Sequence, residues 1–378
     1  MRYTFNFPTH IRFGAGVLEE LPVHLNEHGF SSPLIVSDAG ITGFPFFKDL
    51  IQSLSKNKIK PTTFSEIAKN PVKANVISGV TVYNQNSCDC IIGFGGGASI
   101  DVARAIALKV NHHEDLFHYE DGKDGWKHVT NGIPYFIAIP TTSGTGSEVG
   151  RSTVISDDNT HEKKILFAPS LMAKVVYADP TVTQNLPAHI TAETGMDALT
   201  HCIEAYLAKG FQPMCDGIAL EGIHLIEQSL GHAVLKPTLE HRSNMMAAAM
   251  MGAVAFQKGL GVVHSMAHAL STHLDIHHGL ANALMLPYGL RFNQDVCTDK
   301  YHTIASVLEL TNENSEGLIC YIQELSEAIG IPSHLSEIGV RKEDISTLSE
   351  ISLKDVCHLS NPKSVSLEDF NHLFSEAL

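Results

Sequence analysis

The chain has 378 residues, 44% of them hydrophobic and 18% charged, which suits two domains with large cores and excludes a disordered chain. Lys plus Arg number 26 against 41 Asp plus Glu, and the net charge of −15 argues against nucleic acid or an anionic membrane surface as the main partner. The longest apolar run, residues 245–256, is too short for a bilayer, the N-terminus lacks a signal-peptide layout, and the seven scattered cysteines form no CxxC pair, so a reduced cytoplasmic protein is expected.

Four short apolar runs read as strands: residues 33–36, 90–92, 135–139 and 175–177. Each ends at a turn signal, and helical stretches separate them. Such strands imply a parallel sheet covered on both faces. Residues 119–131, rich in Glu, Asp, Gly and Lys and holding the only Trp, read as an exposed loop. Beyond Thr183 strands give way to helical runs over residues 190–207, 217–230, 244–258 and 262–271. The expected organisation is an α/β domain with a Rossmann-like parallel sheet over residues 1–184 and an all-α domain over residues 185–378, to which the motifs below assign nucleotide binding and metal and substrate binding respectively.

Gly93-Phe94-Gly95-Gly96-Gly97-Ala98-Ser99 leaves a strand and opens a helix. Glycines there let backbone approach a phosphate, and the helix start offers free N–H groups. The dinucleotide fingerprint also wants an acidic residue closing the next strand, and none is visible downstream. Pro140-Thr141-Thr142-Ser143-Gly144-Thr145-Gly146-Ser147-Glu148 is a second strand-to-loop junction, dense in hydroxyls and glycine. Thr145-x-x-Glu148 also reads as a capping box starting a helix. Two such junctions at one edge of a parallel sheet point to one cofactor crevice.

Asp197 and His201 lie four apart on a helix and share a face; His264 and His268 repeat that spacing, and His278 follows. The apolar neighbours of His264 and His268 do not suit a solvated face, and buried histidines need partners. A carboxylate and neutral imidazoles from separate helices suit Fe²⁺ or Zn²⁺.

Gly195-Met196-Asp197-Ala198-Leu199-Thr200-His201-Cys202-Ile203-Glu204, Gly261-Val262-Val263-His264-Ser265-Met266-Ala267-His268 and His278-Gly279-Leu280-Ala281-Asn282-Ala283 resemble metal-binding segments of the iron-containing alcohol dehydrogenase family. The two glycine-rich junctions are similar to that family's cofactor segments. The likeness runs from Phe7-Pro8-Thr9 to Phe292-Asn293.

The resemblance implies a dehydroquinate-synthase-like architecture and metal ligation by Asp197, His201, His264 and His278. It implies a catalytic His268 beside nicotinamide and substrate. For the cofactor it implies contacts from Asp38, Asn70, Gly95, Gly96, Gly97, Ala98, Ser99, Thr141, Thr142, Thr145 and Lys163. Asp38 would take the ribose, an acid upstream of the glycine turn, and would repel a 2′-phosphate, so NAD is expected in preference to NADP. Fe²⁺ is expected in preference to Zn²⁺. Ala98, Arg104, Ala269 and Ser271 depart from residues usual in the family; the two near His268, Ala269 and Ser271, bear on substrate preference. The expected enzyme transfers hydride between a small alcohol or diol and NAD in a cytoplasmic homo-oligomer without nucleic-acid or membrane partners. A hydroxyacid–oxoacid transhydrogenase and a dehydroquinate-synthase-like lyase share the fold and metal logic. The region around the ligands is poor in Lys and Arg, which disfavours a multiply anionic lyase substrate.

Overall fold

Short apolar segments closed by glycine or proline form the central sheet of the computed structural model, which describes residues 9–68, 70–160 and 162–378. The Phe7-Pro8 start of the resembling stretch lies outside the described residues. The described residues form two compact units: one from residues 9–142 with Ser147–Thr183, the other from Ser143–Gly146 with Gln184–Leu378.

In the first unit the order is β1 (His10–Phe13), α1 (Leu21–Glu27), β2 (Pro33–Val36), α2 (Ala39–Thr42), α3 (Pro45–Lys56), β3 (Thr62–Phe64), α4 (Lys73–Gln85), β4 (Cys90–Gly95), α5 (Gly97–Val110), β5 (Tyr135–Pro140), β6 (Ser152–Ser156), β7 (Lys163–Phe167) and β8 (Val175–Ala178). Six strands, ordered β1-β8-β5-β4-β2-β3, pair in parallel. β2, β4 and β8 are buried along their whole length, as expected of a sheet covered on both faces. Ile35, Ile92, Phe94, Ile137 and Tyr177 pack with Leu21 and Leu25 of α1 and Leu50 and Leu54 of α3. Phe136 lies beneath α5, whose Arg104 guanidinium is 5.5 Å from its ring centroid.

The four expected strands form. β1 and β3 were not expected. They are short edge strands, and Arg12 of β1 and Thr63 of β3 keep them from reading as apolar runs. β6 and β7 form an antiparallel hairpin that also gave no apolar run. Residues 119–131 are not wholly an exposed loop. Tyr119 is buried, Glu120 bridges to Leu166 of β7, and the Asp121 N–H donates to the Ile165 carbonyl, while Trp126 is exposed.

The second unit is helical: α6 (Ala188–Leu207), α7 (Pro213–Leu235), α8 (Leu239–Ala255), α9 (Val262–Leu274), α10 (His278–Asn293), α11 (Thr298–Val307), α12 (Ser315–Ala328), α13 (Ile345–Lys354) and α14 (Leu367–Ala377). α6, α7 and α8 share one apolar core with α9, α10 and α14 through residues such as Met196, Ile223, Met245, Met266, Met285 and Phe370. The chain turns by 108° between the α8 segment ending at Lys258 and α9. Among the described residues no single helix is long and apolar enough to cross a membrane.

Candidate active site

In the first unit, β4 and β5 run in register to their carboxyl ends, with Gly93 opposite Ala138 and Gly95 opposite Pro140. The two junctions therefore start side by side, and the Thr141 N–H donates to the Gly95 carbonyl at 3.0 Å. Gly95 tolerates no side chain: a Cβ there would lie 2.4 Å from Ser99 Oγ. Gly96 caps α5, and Gly97, Ala98 and Ser99 form its first turn, so their N–H groups have no partner within the helix. The Ser99 hydroxyl donates to Asp38 Oδ2 at 3.3 Å, while Asp38 Oδ1 accepts the Ile41 N–H at 3.0 Å and caps α2. The acid at the end of β2 thus stands beside the glycine turn, one strand over rather than further along the chain. Thr141 is buried and its Oγ1 meets no partner among the described residues. A Cβ at Gly96 would lie 3.4 Å from Thr142 Oγ1, so Thr142 flanks the same turn.

The segments that carry Asn70 and Lys163 come together at another corner of this unit. Ser156 of β6 pairs with Lys163, bridges to Val72 and donates its N–H to the Pro71 carbonyl at 2.8 Å. Thr145 belongs to Ser143–Gly146, which packs in the helical unit: a Cβ on Gly144 would strike Thr194 of α6, and one on Gly146 would strike Ala253 of α8. Glu148 starts no α-helix, contrary to the capping-box reading; Ser147–Val149 is a single 3₁₀ turn. Arg104 explains the geometry there. Fully buried, it donates to the Ser152 carbonyl at 2.6 Å, the Ser147 hydroxyl at 2.9 Å, the Leu171 carbonyl at 3.2 Å and the Asp101 carboxylate at 3.2 Å. Burial pushes the neighbouring Glu148 carboxyl up to about 7.

In the helical unit, Asp197 and His201 of α6, His264 of α9 and His278 at the start of α10 each offer a ligand atom, all within 4.8 Å of one another. Asp197 Oδ1 lies 3.5 Å from His278 Nε2 and 3.9 Å from His201 Nε2. The rings of His201 and His264 are 4.6 Å apart, and those of His264 and His278 5.4 Å. Burial lowers His201 to about 4 and His264 to about 3, so both rings are neutral and carry a lone pair at ordinary pH. Asp197 is buried, and among the described residues it pairs with no Lys or Arg. A buried carboxylate facing neutral imidazoles is costly unless a cation joins it. The donor set therefore fits a divalent transition ion, and nitrogen and oxygen donors without thiolate accept Fe²⁺ as well as Zn²⁺.

His268 stands outside this set, its ring 5.2 Å from that of His278. Its Nδ1 bonds Asp355 Oδ2 at 2.8 Å, just beyond α13. Asp355 Oδ1 accepts the Ser265 hydroxyl at 2.7 Å and the Cys357 N–H at 2.8 Å. Burial pushes the Asp355 carboxyl up, but the His268 ring and these donors outweigh it and hold the group well below the usual carboxylate range. His268, Asp355 and Cys357 are close enough to form a second metal-capable group, but donors already engage both carboxylate oxygens.

Three residues around the ligands went unassigned in the sequence. Asn282 is buried on α10, with Nδ2 2.8 Å from Asp197 Oδ1. Glu204, three residues after His201 on the same face of α6, bonds His264 Nδ1 at 2.7 Å. Both stand inside the quoted motifs, and the helical period from Asp197 through His201 to Glu204 was the available signal. For Asp355 no local signal exists.

Comparison with known proteins agrees with this geometry. The iron-containing alcohol dehydrogenase model matches residues 8–180, and the model for the C-terminal part of the same family matches residues 191–378. The chain belongs to the iron-containing alcohol dehydrogenase family. It is 35% identical to the 4-hydroxybutyrate dehydrogenase of Cupriavidus necator, covering 98% of each chain. Its fold superposes on a crystal structure of 1,3-propanediol oxidoreductase with a TM-score of 0.95 at 32% identity, covering 100% of both chains. The sulfoacetaldehyde reductase of Bifidobacterium kashiwanohense, solved in complex with NAD⁺, superposes with a TM-score of 0.89 at 26% identity, over 100% of this chain and 99% of the other. The protein is accordingly an alcohol dehydrogenase of dehydroquinate-synthase-like fold.

Proposed function

We propose that this alcohol dehydrogenase uses NAD and a divalent metal, Fe²⁺ in preference to Zn²⁺, to interconvert a small primary alcohol and its aldehyde. The observation that carries this reading is the buried group of Asp197, His201, His264 and His278, one carboxylate and three imidazoles within 4.8 Å. The relatives named above act on short chains bearing a second polar group, which favours a diol or an ω-hydroxy acid. When bound, the metal supplies Lewis acidity at the substrate oxygen and the nicotinamide accepts or delivers hydride.

The protein's own residues do the rest. Asp197, His201, His264 and His278 would hold the ion. Asp355 accepts the His268 Nδ1 proton and so leaves the His268 Nε2 lone pair to take the substrate hydroxyl proton in oxidation and to return it in reduction. On the cofactor side, the first-turn N–H groups of α5 and the Thr141 hydroxyl offer donors to phosphate oxygens. Asp38 would bond the ribose and repel a 2′-phosphate, which favours NAD over NADP. Asn70, Thr142, Thr145 and Lys163 complete the proposed contacts.

All seven cysteines are free, which suits a reducing cytoplasm. Phe211, Met214 and Leu235 remain exposed, which suits self-association. The test is an anaerobic add-back of Fe²⁺ or Zn²⁺ to metal-stripped protein with NADH and a panel of short hydroxyaldehydes. Metal-dependent NADH consumption is the expected result. No consumption with either metal would overturn the reading.

A further inference from the structure

Glu204 is almost fully buried on α6, and its carboxylate meets three peptide N–H donors and one imidazole nitrogen. Oε1 accepts the Val263 N–H at 2.8 Å. Oε2 accepts the Gly261 N–H at 3.0 Å and the His264 N–H at 3.3 Å, and lies 2.7 Å from His264 Nδ1. The three peptide N–H groups at the start of α9 cannot act as acceptors. They favour the ionised carboxylate, which has only lone pairs to offer His264. The fourth contact then places the ring hydrogen of His264 on Nδ1 and the lone pair on Nε2, the atom that lies beside Asn282 Nδ2 at 3.3 Å. A side chain at position 261 would crowd this carboxylate: a Cβ on Gly261 would lie 2.6 Å from Glu204 Oε1.

We infer that Glu204 is a positioning residue for metal binding, a strut from the helix carrying Asp197 and His201 that sets the tautomer and angle of His264. The inference rests on the proposed metal site. An isolated cap would need only the peptide N–H groups. The contact to the imidazole ties the cap to the ligand, because the same carboxylate fixes both where α9 starts and which nitrogen of His264 faces the group of four. A carboxylate behind a ligating imidazole raises its basicity and fixes its orientation, and loss of such a partner costs roughly 10–100-fold in metal affinity.

The test uses the full chain, metal-stripped under anaerobic conditions, and Co²⁺ alone as the probe. Binding is read by competition with a chelator and by the visible ligand-field spectrum, well below the thermal midpoint of each variant. Glu204→Gln is expected to bind Co²⁺ roughly 10–100-fold more weakly than wild type, with an altered spectrum. A purely structural cap would lower the thermal midpoint and leave Co²⁺ affinity and spectrum unchanged, and that result would overturn the inference while leaving the metal site standing. Should Glu204→Gln not fold, Glu204→Asp, which keeps the charge and shortens the reach, carries the same two outcomes. Failure of wild type to bind Co²⁺ would overturn the inference and the metal site together.

Discussion

Asp355→Asn separates the role of His268 from that of the metal ligands. Asp355 Oδ1 accepts both the Ser265 hydroxyl and the Cys357 N–H, so an asparagine oxygen is retained at that position. The amide NH₂ is then forced to the place of Oδ2, 2.8 Å from His268 Nδ1. A donor cannot face a donor, so His268 must shift its hydrogen to Nε2 and lose the lone pair that would receive the substrate proton. General acid–base catalysis is worth about 10²- to 10⁴-fold. At 1.36 kcal/mol per tenfold that is about 3–5 kcal/mol in the barrier, and turnover should fall accordingly. Metal content should not change, because Asp355 lies outside the group of four. The assay is steady-state NADH oxidation beside metal analysis of the same sample. Unchanged turnover would refute the dyad, and parallel loss of metal and activity would refute the separation of roles.

His264→Ala removes one of four ligand atoms and the partner of Glu204, so metal and activity should disappear together; full metal content in the purified variant would contradict the assignment. Replacing Asp38 with Asn removes a charge beside the glycine turn while retaining an oxygen for the Ile41 N–H. The ratio of NADPH to NADH use should rise by roughly tenfold, about 1.4 kcal/mol, as measured by kcat/KM for both cofactors. Glu148, raised by burial from 4.5 to about 7, binds its proton more tightly folded than unfolded. Its contribution is therefore fully present below pH 4.5 and is lost as pH rises through about 7. Glu148→Gln should erase that slope and raise stability above neutrality by up to about 3 kcal/mol at 1.36 kcal/mol per pKa unit, read as a higher thermal midpoint. Equal midpoints for the two proteins across that range would contradict a buried acid.

Much of the site was written locally. Asp197 and His201 share a face because a helix repeats every 3.6 residues, and Gly95 closes β4 against the start of α5 because no side chain fits there. The buried strands β2, β4, β5 and β8 were legible as apolar runs between turns, and the proposed ligands as an aspartate and histidines at helical spacing, His264 among apolar neighbours. What sequence could not order is what distance along the chain hides. Asp355 reaches His268 across 87 residues, and Glu204 reaches His264 across 60, contacts that exist only once α9 packs between its neighbours. β1 and β3, interrupted by Arg12 and Thr63, carry no apolar run to announce them and form because a neighbouring strand offers unpaired backbone. α10, apolar on most of its surface, has no polar face to betray its period, so His278 was visible as a residue but not as the first residue of a helix. Thr145 shows the same limit: its place after β5 in the chain suggested the sheet, but Gly144 and Gly146 fit tightly against Thr194 and Ala253, and packing assigns the segment to the helices. Local periodicity and backbone sterics thus determined which residues could do the chemistry, and burial among distant elements decided their partners, protonation and orientation.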